Sequence, residues 1–141
     1  MLLLESFKRW IGRSLIEYQA EADVDFPQAL FDAPFVVVSH DTSADPIFNY
    51  GNRTALHLFE MSWADFTKLP SRESAEPINR DERSRLLEAV TRQNFIDDYS
   101  GVRISASGQR FWIPRAIVWN LQDDEGVYRG QAATFSEWSL L

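Results

Sequence analysis

The fold of this chain is decided by residues 95–138, which read FIDDYSGVRISASGQRFWIPRAIVWNLQDDEGVYRGQAATFSEW. The stretch divides into three segments rich in Val, Ile, Phe, Tyr, Trp and Thr, the side chains that favour β-strands. These segments are residues 95–105, 109–121 and 126–138. The short separators between them are rich in Ser, Gly and Asp, the residues that favour tight turns. The pattern therefore predicts three consecutive antiparallel strands joined by hairpins.

Two more strands are predicted upstream, and they form a hairpin. Residues 35–39 read FVVVS, which is apolar on both faces, as in a central strand that is covered on two sides. Residues 46–50 read PIFNY and follow a loop that is dense in Asp, Ser and Thr. We therefore divide the chain into an amino-terminal helix and connector over residues 1–33 and a compact domain over residues 34–141.

Three short helices are predicted between the hairpin and the three-strand stretch. Asn52 is a suitable N-cap residue for the first, and the second is a helical turn that stops at Pro70. The third and longest is predicted over residues 80–92, where Asn79 and Glu82 form a capping-box-like pair. The order of elements is therefore two strands, three helices and three strands.

This order resembles the PAS sensory fold, and in particular the PAS-like MEKHLA-domain proteins. The resemblance covers roughly residues 34–138 and lies in five short stretches. These are FNYGN at 48–52, residues 86–95, SGQR at 107–110, VWN at 118–120 and TFSEW at 134–138. It implies an α+β, PAS-like domain with a five-stranded antiparallel sheet, short helices on one face and an amino-terminal helical extension. It also implies a noncatalytic sensory, ligand-binding or protein-interaction module that signals through a partner or a dimer contact.

Nothing in the sequence indicates a nucleic-acid partner. The net charge of −7, from 21 acidic and 14 basic residues, opposes binding to a phosphate backbone. The chain lacks the literal Met-Glu-Lys-His-Leu-Ala string, a homeodomain and a leucine zipper. It is therefore similar to the free-standing microbial members of the family rather than to the class III homeodomain-leucine-zipper plant regulators, and a DNA-linked role does not carry over.

The resemblance also bears on cofactors. Flavin-adduct photosensors of the PAS superfamily need a reactive Cys, and this chain has none, so a covalent flavin adduct is excluded. Haem-binding members often use a His on the long helix, where residues 80–92 contain none, so haem is disfavoured. Noncovalent flavin stays open, and the sequence does not identify the ligand.

The amino-terminal segment is predicted to form an amphipathic helix over residues 5 to about 21. Its apolar stripe includes Phe7, Trp10, Ile11 and Tyr18, at the three-and-four spacing of one helical face. Such a stripe needs a cover, which is either the sheet of the same chain, a second copy of the chain, or both. We expect a homodimer whose interface includes these four residues.

The start of the chain gives no sign of a membrane anchor. The apolar run over residues 1–4 ends at Glu5 and is too short for a signal peptide or a membrane span. We expect a cytoplasmic protein without a membrane partner.

Most catalytic and metal-binding patterns are absent from the sequence. It has no Cys nucleophile, no Gly-x-Ser-x-Gly elbow and no nucleotide-binding glycine loop. His40 falls in the predicted hairpin loop and His57 in the middle of a helix, and neither has a second His at metal-ligand spacing. We therefore predict no catalytic residue and no metal site. The alternative is a small enzyme that uses the cavity, with His40, His57 and the arginines as its only polar groups.

A ligand is expected between the inner face of the sheet and the short helices, in a cavity with apolar walls and a few polar groups. A His-carboxylate pair in this cavity would favour the enzyme, and a dry aromatic cavity would favour the binding module. Arginines enter as candidates because a buried Arg needs an anionic partner or several acceptors. The alternative for the aromatic candidates is that they fill the core. The predicted ligand-binding residues are Phe48, Tyr50, His57, Arg72, Tyr99, Trp119 and Thr134.

Period-two alternation assigns the side chains of the penultimate strand to two faces. It places Phe111, Ile113, Ile117 and Trp119 on one face, and Trp112, Ala116 and Val118 on the other. We expect Trp119 to point inward to the helices and Trp112 outward, unless Pro114 introduces a bulge.

Overall fold

The computed structural model describes residues 2–16 and 25–141. The helices are α1 Leu2–Ile11, α2 Phe26–Phe31, α3 Arg53–Phe59, α4 Trp63–Phe66 and α5 Arg80–Gln93, with 3-10 turns at Ser71–Ser74 and Pro77–Asn79. The strands are β1 Val36–His40, β2 Phe48–Gly51, β3 Phe95–Ile104, β4 Arg110–Gln122, β5 Tyr128–Phe135 and β6 Ser139–Leu140. Among the described helices, none is long and apolar enough to cross a membrane.

The strands form one antiparallel sheet in the order β2-β1-β5-β4-β3, and the two-residue β6 pairs with β4. The predicted hairpin of β1 with β2 and the predicted meander of β3, β4 and β5 are both present. The pairing of β1 with β5 joins these two units into one sheet. The predicted α+β architecture, with an antiparallel sheet and short helices, is confirmed, with one short strand more than expected.

The caps of the helices agree with the sequence in one place and differ in two. Asn52 caps α3 as predicted, since its Oδ1 accepts from the amide of Ala55 at 3.1 Å. Asn79 makes no capping bond, because a 3-10 turn ends there and leaves its backbone helical rather than extended. The first helix ends at Ile11 rather than continuing to residue 21, because Gly12 adopts a left-handed conformation and its amide bonds to the Lys8 carbonyl at 2.9 Å.

Helices cover the sheet on both faces. The cavity face carries α3, α4 and α5, and its core is built around Phe48, Phe59, Phe66 and Phe111. The α1 face carries α1 and α2, and its core includes Phe7, Leu30, Val37 and Trp119. We use the names cavity face and α1 face below.

A bulge in β4 changes which side chains reach each face. Gly101 pairs with Ile113 and Tyr99 with Ala116, so one residue of β3 lies opposite Pro114 and Arg115 of β4. Pro114 has no amide proton to donate to the ladder, so the pairing is interrupted there.

Because of this bulge, the side chains of β4 are distributed over the two faces differently from the sequence-based prediction. Beyond it Ala116 and Val118 join Ile113 on the cavity face, whereas Ile117 and Trp119 turn to the α1 face. The expectation that Trp119 points to the cavity-side helices is wrong. Trp112, whose neighbours Phe111 and Ile113 lie on the cavity face, is directed to the same side as Trp119 rather than to the opposite one.

Candidate functional site

A cavity of about 90 Å³ lies on the cavity face, between α5 and the centre of the sheet. Most of its wall is apolar and comes from β1, β2, β4, β5, α3 and α5. The polar side chains on the wall are Ser39, His40, Ser71, Ser74, Arg83, Tyr99, Arg103 and Gln131. The arrangement is a small apolar chamber with a polar end, which is typical of small-molecule sites.

The imidazole of His40 is the centre of the polar end. Residue 40 is the last of β1 and pairs directly with Gln131 of β5. Its Nδ1 lies 3.1 Å from the Ser71 hydroxyl and its Nε2 lies 3.2 Å from Oε1 of Gln131. Both ring nitrogens are therefore occupied by neutral partners inside the protein.

The partners of Gln131 fix the tautomer of His40. The side-chain amide nitrogen of Gln131 donates to the Leu87 carbonyl at 3.0 Å and to Oδ1 of Asn120 at 3.1 Å, which leaves Oε1 to accept from the imidazole. The proton of His40 is thus on Nε2, and Nδ1 accepts from the Ser71 hydroxyl. Burial, helped by the positive charge of Arg83, lowers the pKa of His40 to about 4, so the ring is neutral at neutral pH.

A buried guanidinium forms the charged part of the site. Arg83 lies in α5 and is only 7% exposed. It donates to the Ser71 hydroxyl, and in the described part of the chain no carboxylate forms an ion pair with it. Burial first, and then the positive charge of Arg103, lowers the pKa of Arg83 to about 10. The cavity therefore carries a positive charge that the surrounding side chains do not neutralise.

A tyrosine with an unused hydroxyl lies beside this charge. The hydroxyl of Tyr99 is buried and has no hydrogen-bond partner among the described residues. The guanidinium of Arg103 lies 5.3 Å from the centre of its ring. Gly101 makes room for this arrangement, because a Cβ at that position would collide with the Tyr99 hydroxyl. A buried hydroxyl without a partner is costly and marks a place where a ligand could supply the missing bond.

Two of the seven predicted ligand-binding residues, Phe48 and Tyr99, line this cavity. His57 is exposed on α3, and Arg72 points outward to an ion pair with Asp45 at 3.1 Å. The remaining three belong to the other side of the sheet.

Tyr50 and Trp119 pack in the core of the α1 face. Thr134 is buried where its hydroxyl donates to the Val36 carbonyl at 2.8 Å. Period-two alternation does not continue through Pro114, so Trp119 lies on the α1 face rather than on the face that the alternation predicts. The structure therefore does not bring these three side chains to the cavity.

Sequence reasoning did not select Ser71, Arg83 or Gln131, and it placed His40 in a loop. His40 is the final residue of β1, one residue beyond the predicted strand. A signal for Arg83 exists in the sequence, because it precedes Leu86, Leu87 and Val90 at the three-and-four spacing of the inward stripe of α5. The polar partners Ser71 and Gln131 carry no comparable signal.

On the α1 face, helix α1 packs against β4 of its own chain. The ring of Phe7 is fully buried and meets the ring of Trp119 edge-on at 4.9 Å. The indole of Trp10 donates to the Asn120 carbonyl at 2.9 Å, and the Ser6 hydroxyl donates to the Gln122 carbonyl at 3.1 Å. The sheet thus covers part of the apolar stripe, which is one of the two covers that the sequence left open.

The predicted dimer contact is only partly described by the structure. Trp10 and Ile11 are half-buried, whereas Phe7 is fully buried against the sheet of its own chain. Tyr18 lies outside the described residues. The dimer therefore stays a prediction.

The described residues offer no metal site. Among residues 2–16 and 25–141 no group of three His, Asp or Glu side chains is close enough to hold a metal ion. The polar end of the cavity, with two guanidinium groups and a neutral imidazole, suits an anion rather than a cation.

Comparison with known proteins gives a family and a set of folds. A family model described as the MEKHLA domain matches residues 1–140. No curated protein matches the chain. Three similar solved structures are described next, and their identities of 14–18% support a likeness of fold alone.

The first is the PAS domain of a protein from Colwellia psychrerythraea, with a TM-score of 0.68, 14% identity, and coverage of 82% of this chain and 93% of that one. The light-state dimer of the fungal blue-light photoreceptor Vivid has a TM-score of 0.62 at 15% identity, over 95% of this chain and 93% of that one. The PAS domain of a LuxR-family transcriptional regulator from Burkholderia thailandensis was solved in complex with ethanol. It has a TM-score of 0.60 at 18% identity, over 84% of this chain and 98% of that one.

Proposed function

The chain belongs to the MEKHLA domain family and has the fold of PAS domains, and from that premise we propose that it is a noncatalytic sensory module that binds a small molecule in the cavity beside α5. The observation that carries the proposal is the polar end of the cavity, where the buried guanidinium of Arg83 has no carboxylate partner and the buried hydroxyl of Tyr99 has no hydrogen-bond partner among the described residues. A core that served stability alone would replace such groups with apolar side chains at no loss.

The size of the cavity limits the ligand. A cavity of about 150 Å³ accommodates benzene, so the chamber of about 90 Å³ suits a molecule of only a few non-hydrogen atoms. A flavin, with its three fused rings, does not fit this cavity, and the chain has no Cys for an adduct. Small ligands occur with this fold, since the Burkholderia thailandensis PAS domain was solved in complex with ethanol.

A hydrogen-bonded route leads from the cavity to α1. Gln131 contacts His40 at the cavity and donates to Oδ1 of Asn120 at 3.1 Å. The backbone carbonyl of Asn120 in turn accepts from the indole of Trp10 at 2.9 Å. We propose that a bound ligand rearranges this series of hydrogen bonds and thereby changes how α1 packs on the sheet.

The signal then leaves through α1 to a partner protein or a second copy of the chain. Within the described part of the stripe, Trp10 and Ile11 are half-buried and retain surface for such a contact. The similarity in fold to Vivid, which was solved as a light-state dimer, supports a second copy of the chain as the partner. Sedimentation of the intact protein and of Ile11→Asp tests this contact: a dimer that Ile11→Asp converts to a monomer supports it, and an equal mass for both contradicts it.

The surroundings of His40 support a binding module over an enzyme. Among the described residues no carboxylate contacts either ring nitrogen, so the His-carboxylate pair that would favour an enzyme is not formed. With a pKa of about 4, the imidazole is also a weak base at neutral pH. The cavity is nevertheless not a dry aromatic one, which points to a ligand with a polar group.

The proposal is tested by ligand-detected NMR on the intact protein with a panel of small alcohols, amides and carboxylates. Ala116→Leu provides the contrast, because Ala116 is buried on the cavity wall and a larger side chain there fills the chamber. We expect at least one class of compound to bind the wild-type protein and to lose saturation transfer with Ala116→Leu. Absence of binding by every class, or binding that Ala116→Leu leaves unchanged, would contradict the proposal.

A further inference from the structure

The charge inside the cavity restricts the chemistry of its ligand. Arg83 and Arg103 both line the chamber and repel each other. Asp45 attracts Arg83 at longer range, but it is already paired with Arg72 at 3.1 Å on the exposed side. The whole chain is acidic, with a net charge of −7, so this inward-facing positive charge is not part of a general basic surface. An anion is the ligand class that relieves the repulsion.

The hydrogen-bond donors at the polar end suit a planar anion. A guanidinium has five N–H donors in a fixed fork, and for Arg83 the described residues provide one side-chain acceptor, the Ser71 hydroxyl. Arg103 bonds to the Val102 carbonyl at 2.8 Å and retains further donors. The Tyr99 hydroxyl adds a donor without a partner. The two oxygens of a carboxylate can accept from these donors together, since a carboxylate is planar and matches the fork of a guanidinium.

The apolar wall decides against a phosphate. The chamber is also lined by the apolar side chains of Phe48, Phe59, Ile113 and Phe135. A phosphate presents oxygens in every direction, and those facing this wall would be buried without donors. A short alkyl chain fills the same wall favourably. The chamber therefore suits a molecule with one anionic end and one aliphatic end.

We propose that the ligand is a small aliphatic monocarboxylate, with its carboxylate held by Arg83, Arg103 and the Tyr99 hydroxyl and its alkyl chain against Phe48 and Ile113. The proposal rests on the proposed function and specifies the ligand class of that same cavity. A volume of about 90 Å³ limits the ligand to the size of acetate or propionate.

Isothermal titration of the intact protein with propionate, propionamide and inorganic phosphate tests this proposal. Propionamide is the matched neutral probe, since it has the shape of propionate without the charge. We expect propionate to bind about tenfold or more tightly than propionamide, because charge-assisted bonds to guanidinium are roughly twice as strong as neutral ones. Inorganic phosphate is expected not to compete.

Two arginine variants and one control locate the binding. Arg83→Gln and Arg103→Gln should each weaken propionate about tenfold or more and leave propionamide within about threefold. Arg85→Gln is the matched control, because Arg85 is exposed on the same helix, and it should keep the wild-type affinity within about twofold. If Arg83→Gln does not fold, Arg103→Gln and the ratio of propionate to propionamide affinities for the wild-type protein decide the question.

The outcomes separate this inference from the proposed function. Equal affinity for propionate and propionamide would overturn the carboxylate assignment and leave a ligand-binding cavity. Binding of phosphate without propionate would overturn it in favour of a different anion. No binding by propionate, by propionamide or by any alcohol, amide or carboxylate of the NMR panel would overturn both the inference and the proposed function.

Discussion

The two faces of the sheet differ in what they enclose, although each carries an apolar core. On the α1 face, Phe7, Val37 and Trp119 are fully buried in a continuous apolar core. On the cavity face, His40 and Arg83 are nearly as deeply buried but line a chamber of about 90 Å³. Apolar packing of the first kind stabilises a fold, whereas buried polar groups of the second kind contribute little or cost stability. The comparison teaches that the cavity face combines an apolar core, which stabilises the fold, with the buried polar groups of the candidate site.

The largest expected effect is on the packed face. Phe7→Ala should lower the free energy of unfolding by about 3–5 kcal/mol, because it removes a fully buried ring and its edge contact with Trp119. Urea denaturation followed by tryptophan fluorescence measures this loss. Lys8→Ala, exposed on the same helix, is the control and should change stability by less than about 0.5 kcal/mol. Equal effects of the two substitutions would mean that α1 is not docked on the sheet.

The next effect depends on pH and belongs to the cavity face. The pKa of His40 is lowered from 6.5 to about 4 in the folded protein, so between these values the unfolded chain binds a proton that the folded protein does not. Stability is therefore complete above pH 6.5 and falls as the pH decreases toward 4, by roughly 3 kcal/mol from this group. His40→Gln should remove that part of the pH dependence in urea titrations at pH 7 and pH 4. The exposed His57→Gln serves as control, and an identical pH profile for His40→Gln and the wild type would refute the burial of a neutral imidazole.

A smaller effect, of opposite sign to that of Phe7→Ala, is expected at the buried charge. Arg83→Met keeps most of the side-chain volume and removes a guanidinium that lacks an ionic partner. We expect the free energy of unfolding to stay the same or to rise by about 1–2 kcal/mol. Arg85→Met, exposed on α5, gives the baseline in the same denaturation experiment. A loss of about 3 kcal/mol or more for Arg83→Met would show that Arg83 is a structural residue and that the contrast between the faces fails.

The smallest effect is expected for Tyr99→Phe. The hydroxyl that this change removes is buried without a partner, so the free energy of unfolding should stay within about 1 kcal/mol of the wild type or rise slightly. Thermal unfolding of the ligand-free protein measures this. A clear loss of stability would indicate that the hydroxyl has a bond in the folded protein.

The sequence was most informative where local patterns and tertiary structure agree. The apolar run FVVVS predicted β1 within one residue, and the helix-forming run at 80–92 became α5. Asn52 was recognised as a cap, but its second role was not: its side chain also bonds to Val37, Leu30 and Phe35, which a local pattern cannot reveal. Local periodicity thus predicts the elements but not the long-range bonds that position them.

The candidate site was predicted less well because it depends on one bulge and on long-range contacts. Pro114 shifts the alternation of β4 and moves Trp119 to the α1 face. Gln131 reaches His40 only because β1 and β5 are paired in register, although 91 residues separate them. Arg83 is not among the predicted site residues either, although its position on the inward stripe of α5 is readable in the sequence. A charged residue on the apolar stripe of a helix is therefore a sequence signal for a candidate site residue.

The central claim is that the cavity face binds the ligand and the α1 face responds. The most direct measurement is a titration of the ¹⁵N-labelled protein with propionate, followed by NMR through the indole and side-chain amide resonances. We predict that the side-chain amide of Gln131 and the indole of Trp10 shift with the same dissociation constant, because Asn120 links them. The indole resonance of the exposed Trp63 should not shift. Shifts at Gln131 without any at Trp10 would contradict the claim, because the two faces would then be uncoupled, and a spectrum without any shifts would contradict the binding of propionate in the cavity.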